Sequence, residues 1–143
     1  MTALGKTLMA ADISVGQELP ELVIPLTTTL IVSAAIATRD YQDVHHDLGL
    51  AKERGMPNIF MNILSTNGFV GRFVTDWAGP EAIVKSIAIR LGAPNFPGDT
   101  MRMTGRVTAV DASEGTVEVE LRGANSMGDH VTGKVVVSLP AGS

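Results

Sequence analysis

Three segments in the C-terminal half alternate between apolar and polar residues, and this pattern constrains the fold more than any other feature. In the first segment the apolar side is formed by Met101, Met103, Gly105, Val107 and Ala109. The same period of two recurs over 117–121 and 131–139. Because successive side chains of a strand point to opposite faces, each segment is predicted to be a strand with one buried face. Turn-forming residues at 111–115 and 125–129 should join the three into an antiparallel meander.

The buried face of such a sheet needs a cover, and the segment from about Phe60 to Trp77 is predicted to supply it as a helix. Its large apolar residues recur at spacings of three and four, and they are Phe60, Ile63, Leu64, Val70, Phe73, Val74 and Trp77. They fill more than one stripe, so we expect a helix through much of 60–75 that is buried on most sides. Pro57 and Asn58 suit its beginning, and Gly79-Pro80 suits its end.

Two glycines, Gly68 and Gly71, lie inside the predicted helix, where each costs about 1 kcal/mol relative to alanine. Close approach of the helix backbone to the sheet is the favoured explanation. Contact of Gly68 with a bound substrate is the alternative.

Further strands are predicted at Leu30 to Thr38, which is short, apolar and rich in β-branched residues, and at Ala82 to Leu91. A weaker extended segment covers 18–25. Together these elements predict an α+β chain with a single hot-dog fold, in which an antiparallel sheet wraps around one long central helix. We expect one domain over 1–143, with an ordered core at about 16–138 and loose ends at 1–14 and 140–143.

Composition excludes several classes of function. Eleven basic residues against fifteen acidic ones give a formal net charge of −4, which argues against a nucleic-acid binder. The chain has no cysteine, so disulfides, thiol nucleophiles and cysteine-ligated metals are excluded. No secretory signal or apolar run long enough to cross a membrane is present, and we expect a cytoplasmic protein without a membrane partner.

The densest polar cluster is 39–47, directly after the predicted strand at 30–38. It contains Asp40 and, five residues later, His45, which could converge across a turn on one water molecule as a base and a proton carrier. Asp and His also occur in loops as simple caps or solvated groups, so spacing alone leaves both explanations open. A metal site is weakly supported, because His45 and His46 are neighbours whose side chains diverge and His130 is distant in the chain. No serine-hydrolase elbow, P-loop or dinucleotide motif is present.

Residues 40–45 resemble the hydratase signature of the MaoC-like hot-dog family, in which an aspartate and a histidine five residues later form a catalytic dyad. Residues 95–100 resemble the family's Pro-Gly-Asp turn, and 125–129 resemble its next hairpin turn. The resemblance covers about 16–138. Segments 37–47, 62–64 and 74–80 are similar to the short subunit of two-subunit MaoC-like hydratases that act on cholesterol side-chain enoyl-CoA esters.

The sequence departs from the family pattern in two places. Gln42 and Asp43 stand where the family has asparagine and proline, and Met61-Asn62 stands where it often has His-Gly. The backbone N–H at the helix start could still bind a thioester oxygen whatever its side chain.

The resemblance implies a 2-enoyl-CoA hydratase subunit that adds water across the double bond of an acyl-CoA thioester, and a steroid side chain is the implied acyl group. Asp40 would activate water, His45 would hold it and manage the proton, and Asn62 and Gly68 would contact substrate. No metal or further cofactor is implied, because coenzyme A is part of the substrate. The implied partner is a second MaoC-like subunit, with two of each chain, or a second copy in a homodimer. The alternatives are a non-catalytic acyl-thioester-binding subunit and a hot-dog thioesterase.

Overall fold

The computed structural model describes residues 5–141 and has the element order strand, three helices and four strands. The bounds are β1 Leu22–Pro25, α1 Thr28–Ala37, α2 Leu48–Glu53, α3 Ile63–Ala78, β2 Ile83–Leu91, β3 Thr100–Asp111, β4 Thr116–Asn125 and β5 Gly128–Ser138. Two short 3₁₀ turns lie at Ala10–Asp12 and Asp43–His45. No helix among the described residues is long and apolar enough to cross a membrane.

The five strands form one antiparallel sheet in the order β1-β3-β4-β5-β2. In its centre Val119 of β4 pairs with Val107 of β3 and Val135 of β5, and all three side chains are buried. The predicted meander is therefore confirmed. One detail differs, because a bulge between Val107 and Ala109 shifts the register, so that Val110 packs against the core while Ala109 is exposed.

Helix α3 packs across the buried face of this sheet, which confirms the hot-dog arrangement. Its inward residues Val70, Phe73 and Val74 are almost completely buried. The helix begins later than Pro57 and Asn58 suggested, since Asn62 is the N-cap and accepts a hydrogen bond from the Ser65 N–H. It ends as predicted at Gly79, whose φ of 105° suits glycine.

The segment predicted as a strand at 30–38 is a helix, α1, and that prediction was wrong. A short apolar run has no periodicity that separates a buried strand from a buried helix. Local chemistry decides for the helix, because the Thr27 hydroxyl accepts the Leu30 N–H at 3.0 Å and starts the first turn. Ala34, Ala35 and Ala37 then favour helix over strand.

Helix α3 is buried or half-buried over most of its surface, as expected, and its one exposed face includes Leu64, Gly68 and Arg72. Gly68 makes no close approach, since an added Cβ would meet nothing within 4 Å. The helix instead approaches the sheet over a glycine of β3, Gly105, where a Cβ would lie 2.9 Å from the Phe73 ring. The small residue needed for close packing is therefore on the strand.

The N-terminal segment is packed where it was expected to be loose. The Leu8 N–H donates to the Ala78 carbonyl at the end of α3, and the Thr7 hydroxyl accepts from the Glu81 N–H. Ala10 and Ile13 are buried in the hydrophobic core. The predicted loose end is thus wrong for 7–13, while 1–4 and 142–143 lie outside the described residues.

Candidate active site

Asp40 lies just after the C-terminus of α1, and the helix end fixes its backbone. The Asp40 N–H donates to the Ala35 carbonyl and the Arg39 N–H to the Ile36 carbonyl, the two hydrogen bonds of a Schellman motif. Arg39 occupies the left-handed position of this motif with φ 59°, where glycine is preferred. A helix end, and not the end of a strand, therefore presents Asp40.

His45 lies in the 3₁₀ turn Asp43–His45 and is only 5% exposed. Its Nδ1 donates to the Phe60 carbonyl at 2.7 Å, and the two rings meet edge to face with centroids 4.8 Å apart. Because this carbonyl keeps a proton on Nδ1, Nε2 is the nitrogen available to the neighbouring cleft.

The turn between Asp40 and His45 is held by an ion pair. Both carboxylate oxygens of Asp43 contact Arg54, at 2.7 Å from Nε and 2.8 Å from a terminal nitrogen. The guanidinium lowers the pKa of Asp43 from its ordinary value. Asp47 caps α2 by accepting the Leu50 N–H, and His46 is exposed on the outside of the turn. The fork-like contact fixes a turn that lacks proline.

The structure brings Asp40 and His45 together. Oδ2 of Asp40 lies 3.5 Å from Nε2 of His45, a separation at which both groups can also contact one water molecule. The pKa of Asp40 lies below its ordinary value, chiefly because the Asn62 amide donates to the carboxylate. The Gln42 N–H and the charge of His45 act in the same direction, and burial acts against them. Asp40 is therefore ionised at neutral pH and can accept a proton.

Asn62 joins these residues through its side chain, which the sequence did not indicate. Its amide nitrogen donates to Asp40 Oδ2 at 3.0 Å and to the Thr38 hydroxyl at 2.9 Å. The first N–H groups of a helix have no acceptor inside the helix, so the Asn62 and Ile63 N–H groups at the start of α3 are suited to an oxyanion. Asn62 thus lies beside Asp40, and its amide contacts the Asp40 carboxylate directly.

Asp40, His45 and Asn62 line one open cleft of about 420 Å³, within the size range of small-molecule sites. Its apolar lining consists of Phe60, Met61, Ile63, Leu91 and Pro94. A larger depression of about 770 Å³ lies on the outer face of the sheet among alternating charges such as Arg106 and Glu120. That depression holds neither Asp40 nor His45 and lacks a comparable acid–base pair. The cleft beside α3 is therefore the candidate active site.

His130 is a cleft residue that sequence reasoning missed. It is 3% exposed, its Nδ1 donates to the Ala93 carbonyl at 2.7 Å, and its Nε2 lies 2.8 Å from the Thr66 hydroxyl. Burial lowers the pKa of His130, so the ring is neutral and Nε2 accepts the Thr66 proton. In the sequence, the only indication of this role was the position of His130 in an alternating strand next to a turn.

Gly68 does not lie with the other predicted site residues. It is on the exposed face of α3 and is not part of the cleft lining. Within 5–141, no three His, Asp or Glu side chains cluster closely enough to hold a metal ion.

Comparison with known proteins identifies the family of the chain. A family model described as a MaoC-like domain matches residues 13–126. The 3-oxo-4,17-pregnadiene-20-carboxyl-CoA hydratase beta subunit of Mycobacterium tuberculosis is 51% identical over 125 residues, which is 87% of this chain and 95% of that protein.

The chain is also similar in fold to solved structures. The crystal structure of the ChsH1-ChsH2 complex from Mycobacterium tuberculosis contains a chain that is 50% identical to this one, with a TM-score of 0.86 over 89% of this chain and 98% of that chain. The R-hydratase PhaJ1 of Pseudomonas aeruginosa is 20% identical with a TM-score of 0.84, over 95% of this chain and 88% of that one. The second likeness bears on the fold alone.

Proposed function

The chain belongs to the MaoC-like domain family, and from this premise we propose that it is the catalytic subunit of a 2-enoyl-CoA hydratase. The observation that carries the proposal is the ionised Asp40 beside His45, 3.5 Å apart, in a cleft at the N-terminus of α3. Hydration of a conjugated thioester needs a base for water, a proton for the α carbon and a donor for the thioester oxygen. The cleft offers one group for each task.

In the proposed reaction Asp40 accepts a proton from water while the water oxygen bonds to the β carbon. His45, protonated at Nε2, gives that proton to the α carbon. The acid proton then passes from Asp40 to His45 across their short separation, which restores both groups. The sum is one water added across the double bond. Nδ1 takes no part, because the Phe60 carbonyl occupies it.

Negative charge gathers on the thioester oxygen during the addition, and we assign its stabilisation to the backbone N–H groups at the start of α3. The helix end carries partial positive charge, and preorganised donors of this kind are worth about 10²–10³ in rate. The side chain of Asn62 is already engaged with Asp40 and Ser65, so its contribution to the oxyanion comes from the backbone.

We propose a steroid side-chain enoyl-CoA as the substrate. The Mycobacterium tuberculosis relative, of which the match covers 95%, is named for a pregnadiene carboxyl-CoA. The cleft is open and its mouth is apolar at Ile63 and Leu91, which suits a bulky hydrocarbon next to the thioester. Since such a substrate carries coenzyme A, we place the activity in the cytoplasm.

The partner that we propose is a second, different MaoC-like subunit. Strand β2 pairs only with β5 among the described strands, so its other edge is open. Exposed apolar side chains lie along β2 and at the start of α3, namely Ile63, Leu64, Ile83, Val84 and Leu91. An open edge with an apolar flank needs to be covered. Gly68 lies on this face of α3 and would contact the acyl group only between two subunits.

One assay separates this function from the two alternatives. The chain, purified with its MaoC-like partner, is mixed with a steroid enoyl-CoA while the conjugated double bond is followed by absorbance and free thiol by a thiol reagent. A hydratase removes the conjugation without releasing thiol. Thiol release would indicate a thioesterase, and no change in either signal would indicate a binding subunit.

The Asp40→Asn variant tests the site within that assay. Turnover should fall at least about 10²-fold, the lower end of general acid–base contributions, with an unchanged melting temperature. His46→Ala is the matched control, because His46 neighbours His45 but is exposed on the outside of the turn. Normal hydration by Asp40→Asn would remove Asp40 from the mechanism.

A further inference from the structure

The amide of Asn62 is fully engaged, although a helix cap needs only its oxygen. That oxygen accepts the Ser65 N–H at 3.1 Å and also the Ser65 hydroxyl. The nitrogen donates to Thr38 Oγ1 and to Asp40 Oδ2. The side chain is 1% exposed, so water does not substitute for these contacts.

The direction of this network is fixed. The Ser65 backbone N–H can only donate, so the oxygen of Asn62 must face Ser65 and the NH₂ group must face Asp40. The Thr38 hydroxyl proton is committed to the Ala35 carbonyl at 2.8 Å, which leaves Thr38 Oγ1 as an acceptor. No reversal of the Asn62 amide satisfies these neighbours.

The same contacts decide how Asp40 meets the cleft. Oδ2 is held by Asn62 and faces His45, while Oδ1 accepts the Gln42 N–H at 3.2 Å. A donor fixed on one oxygen restricts rotation of the carboxylate and stabilises its charged form. The end of α1 with its adjoining 39–45 loop and the start of α3, which is distant in the chain, are thereby joined at the reacting carboxylate.

We propose that Asn62 is a positioning residue, whose amide orients the Asp40 carboxylate towards the attacking water and keeps it ready to accept a proton. This inference rests on the proposed hydratase function for its catalytic consequence. The link between Asn62 and Asp40 can be measured without it.

The titratable surroundings of Asp40 are simple. His45 faces it from the same loop, and His130 lines the same cleft from β5. The remaining cleft residues of α3, β2 and the β2–β3 loop are uncharged, and they are Ile63, Leu91, Gly92 and Pro94. A change in the titration of Asp40 in a variant of Asn62 that adds no charge can therefore be attributed to the lost amide.

Two variants separate positioning from capping. Serine and aspartate cap helices as well as asparagine does. Asn62→Ser retains a capping oxygen but is too short to reach Asp40, and Asn62→Asp replaces the donor with a second carboxylate oxygen. Asn58→Asp is the control for added charge, since the Asn58 side-chain oxygen accepts the N–H of its neighbour Ile59.

The experiment follows the Asp40 carboxyl carbon by NMR during a pH titration of the purified chain, and kcat/KM of the chain with its partner. In Asn62→Ser and Asn62→Asp the Asp40 pKa should rise, and kcat/KM in mildly acidic buffer should fall at least about tenfold, the scale of one hydrogen bond to a charged group. Asn58→Asp should change neither.

An Asp40 pKa that is unchanged in both Asn62 variants would overturn the proposal. A shifted Asp40 pKa together with a kcat/KM in mildly acidic buffer equal to that of the wild type would overturn it as well. If the wild-type assembly hydrates no enoyl-CoA while the titrations shift, the hydratase function fails and the positioning of Asp40 stands for another reaction. Melting temperatures close to that of the wild type verify that the cap is intact. If Asn62→Asp does not fold, Asn62→Ser decides, because it removes the amide without adding a charge.

Discussion

Replacement of Thr66 by valine should destabilise the chain through a single hydrogen bond. Thr66 is completely buried in α3 and donates to Nε2 of His130 at 2.8 Å. Valine has nearly the same shape but no hydroxyl, so the variant leaves a buried imidazole nitrogen without a donor. An unsatisfied buried polar group costs about 1–3 kcal/mol.

This loss of stability converts into a melting temperature. An unfolding entropy of about 2.1 cal/mol/K per residue gives about 0.3 kcal/mol/K for a chain of this length. The Thr66→Val variant should therefore melt about 3–10 °C below the wild type at neutral pH. Calorimetry or circular dichroism of the purified chain measures this directly.

Thr75→Val is the matched control in the same helix. The Thr75 hydroxyl donates to the Gly71 carbonyl one turn earlier, and that carbonyl also accepts a hydrogen bond of the helix backbone. Its loss should change the melting temperature by less than about 2 °C, the range of ordinary surface substitutions. Equal melting temperatures for Thr66→Val and wild type would refute the argument that His130 depends on this donor.

Three further predictions concern other parts of the chain. Burial lowers the pKa of His130 in the folded chain, so the unfolded chain binds a proton at this imidazole more readily. The stability that the neutral, buried His130 contributes is therefore fully present above the ordinary pKa of about 6.5. It declines as the pH falls below that value towards the pKa of the folded chain. Urea midpoints at mildly acidic and at neutral pH should thus differ less for His130→Gln than for wild type. Gly68→Ala should raise the melting temperature by about 3 °C, because alanine stabilises the helix by about 1 kcal/mol relative to glycine and its Cβ would have no neighbour within 4 Å. An unchanged or lower melting temperature would contradict the open space at this position. Arg54→Met should lower kcat of the assembly, because the turn at Asp43 loses its ion pair. High salt screens this ion pair in the wild type and should therefore reduce the difference in kcat between the two proteins. An identical kcat at low salt would show that the ion pair does not hold the turn.

The parts of the fold that the sequence predicted are those with a clear period. Strands β3, β4 and β5 alternate because one face is buried and the other is wet, and α3 repeats its apolar residues every three or four positions. The prediction failed at α1, where an apolar run carries neither period. There Thr27 and three alanines decided the structure through capping and helix propensity.

The candidate site likewise contains residues that the sequence predicted and contacts that it did not. Asp40 and His45 were found because they lie five residues apart in a recognisable pattern, and a local turn brings them together. The amide of Asn62 on Asp40 and the pairing of Thr66 with His130 join residues 22 and 64 positions apart. No local pattern carries such information.

The sequence by itself therefore determined the alternating strands, the central helix and the choice of Asp40 and His45 as the candidate acid–base pair, because each depends on neighbours along the chain. Only the tertiary structure decided which amide holds Asp40, which histidine is buried and which face of α3 is open. Those properties arise when α1, α3 and β5 pack together, since hydrogen bonds and burial depend on distance in space and not on distance along the chain.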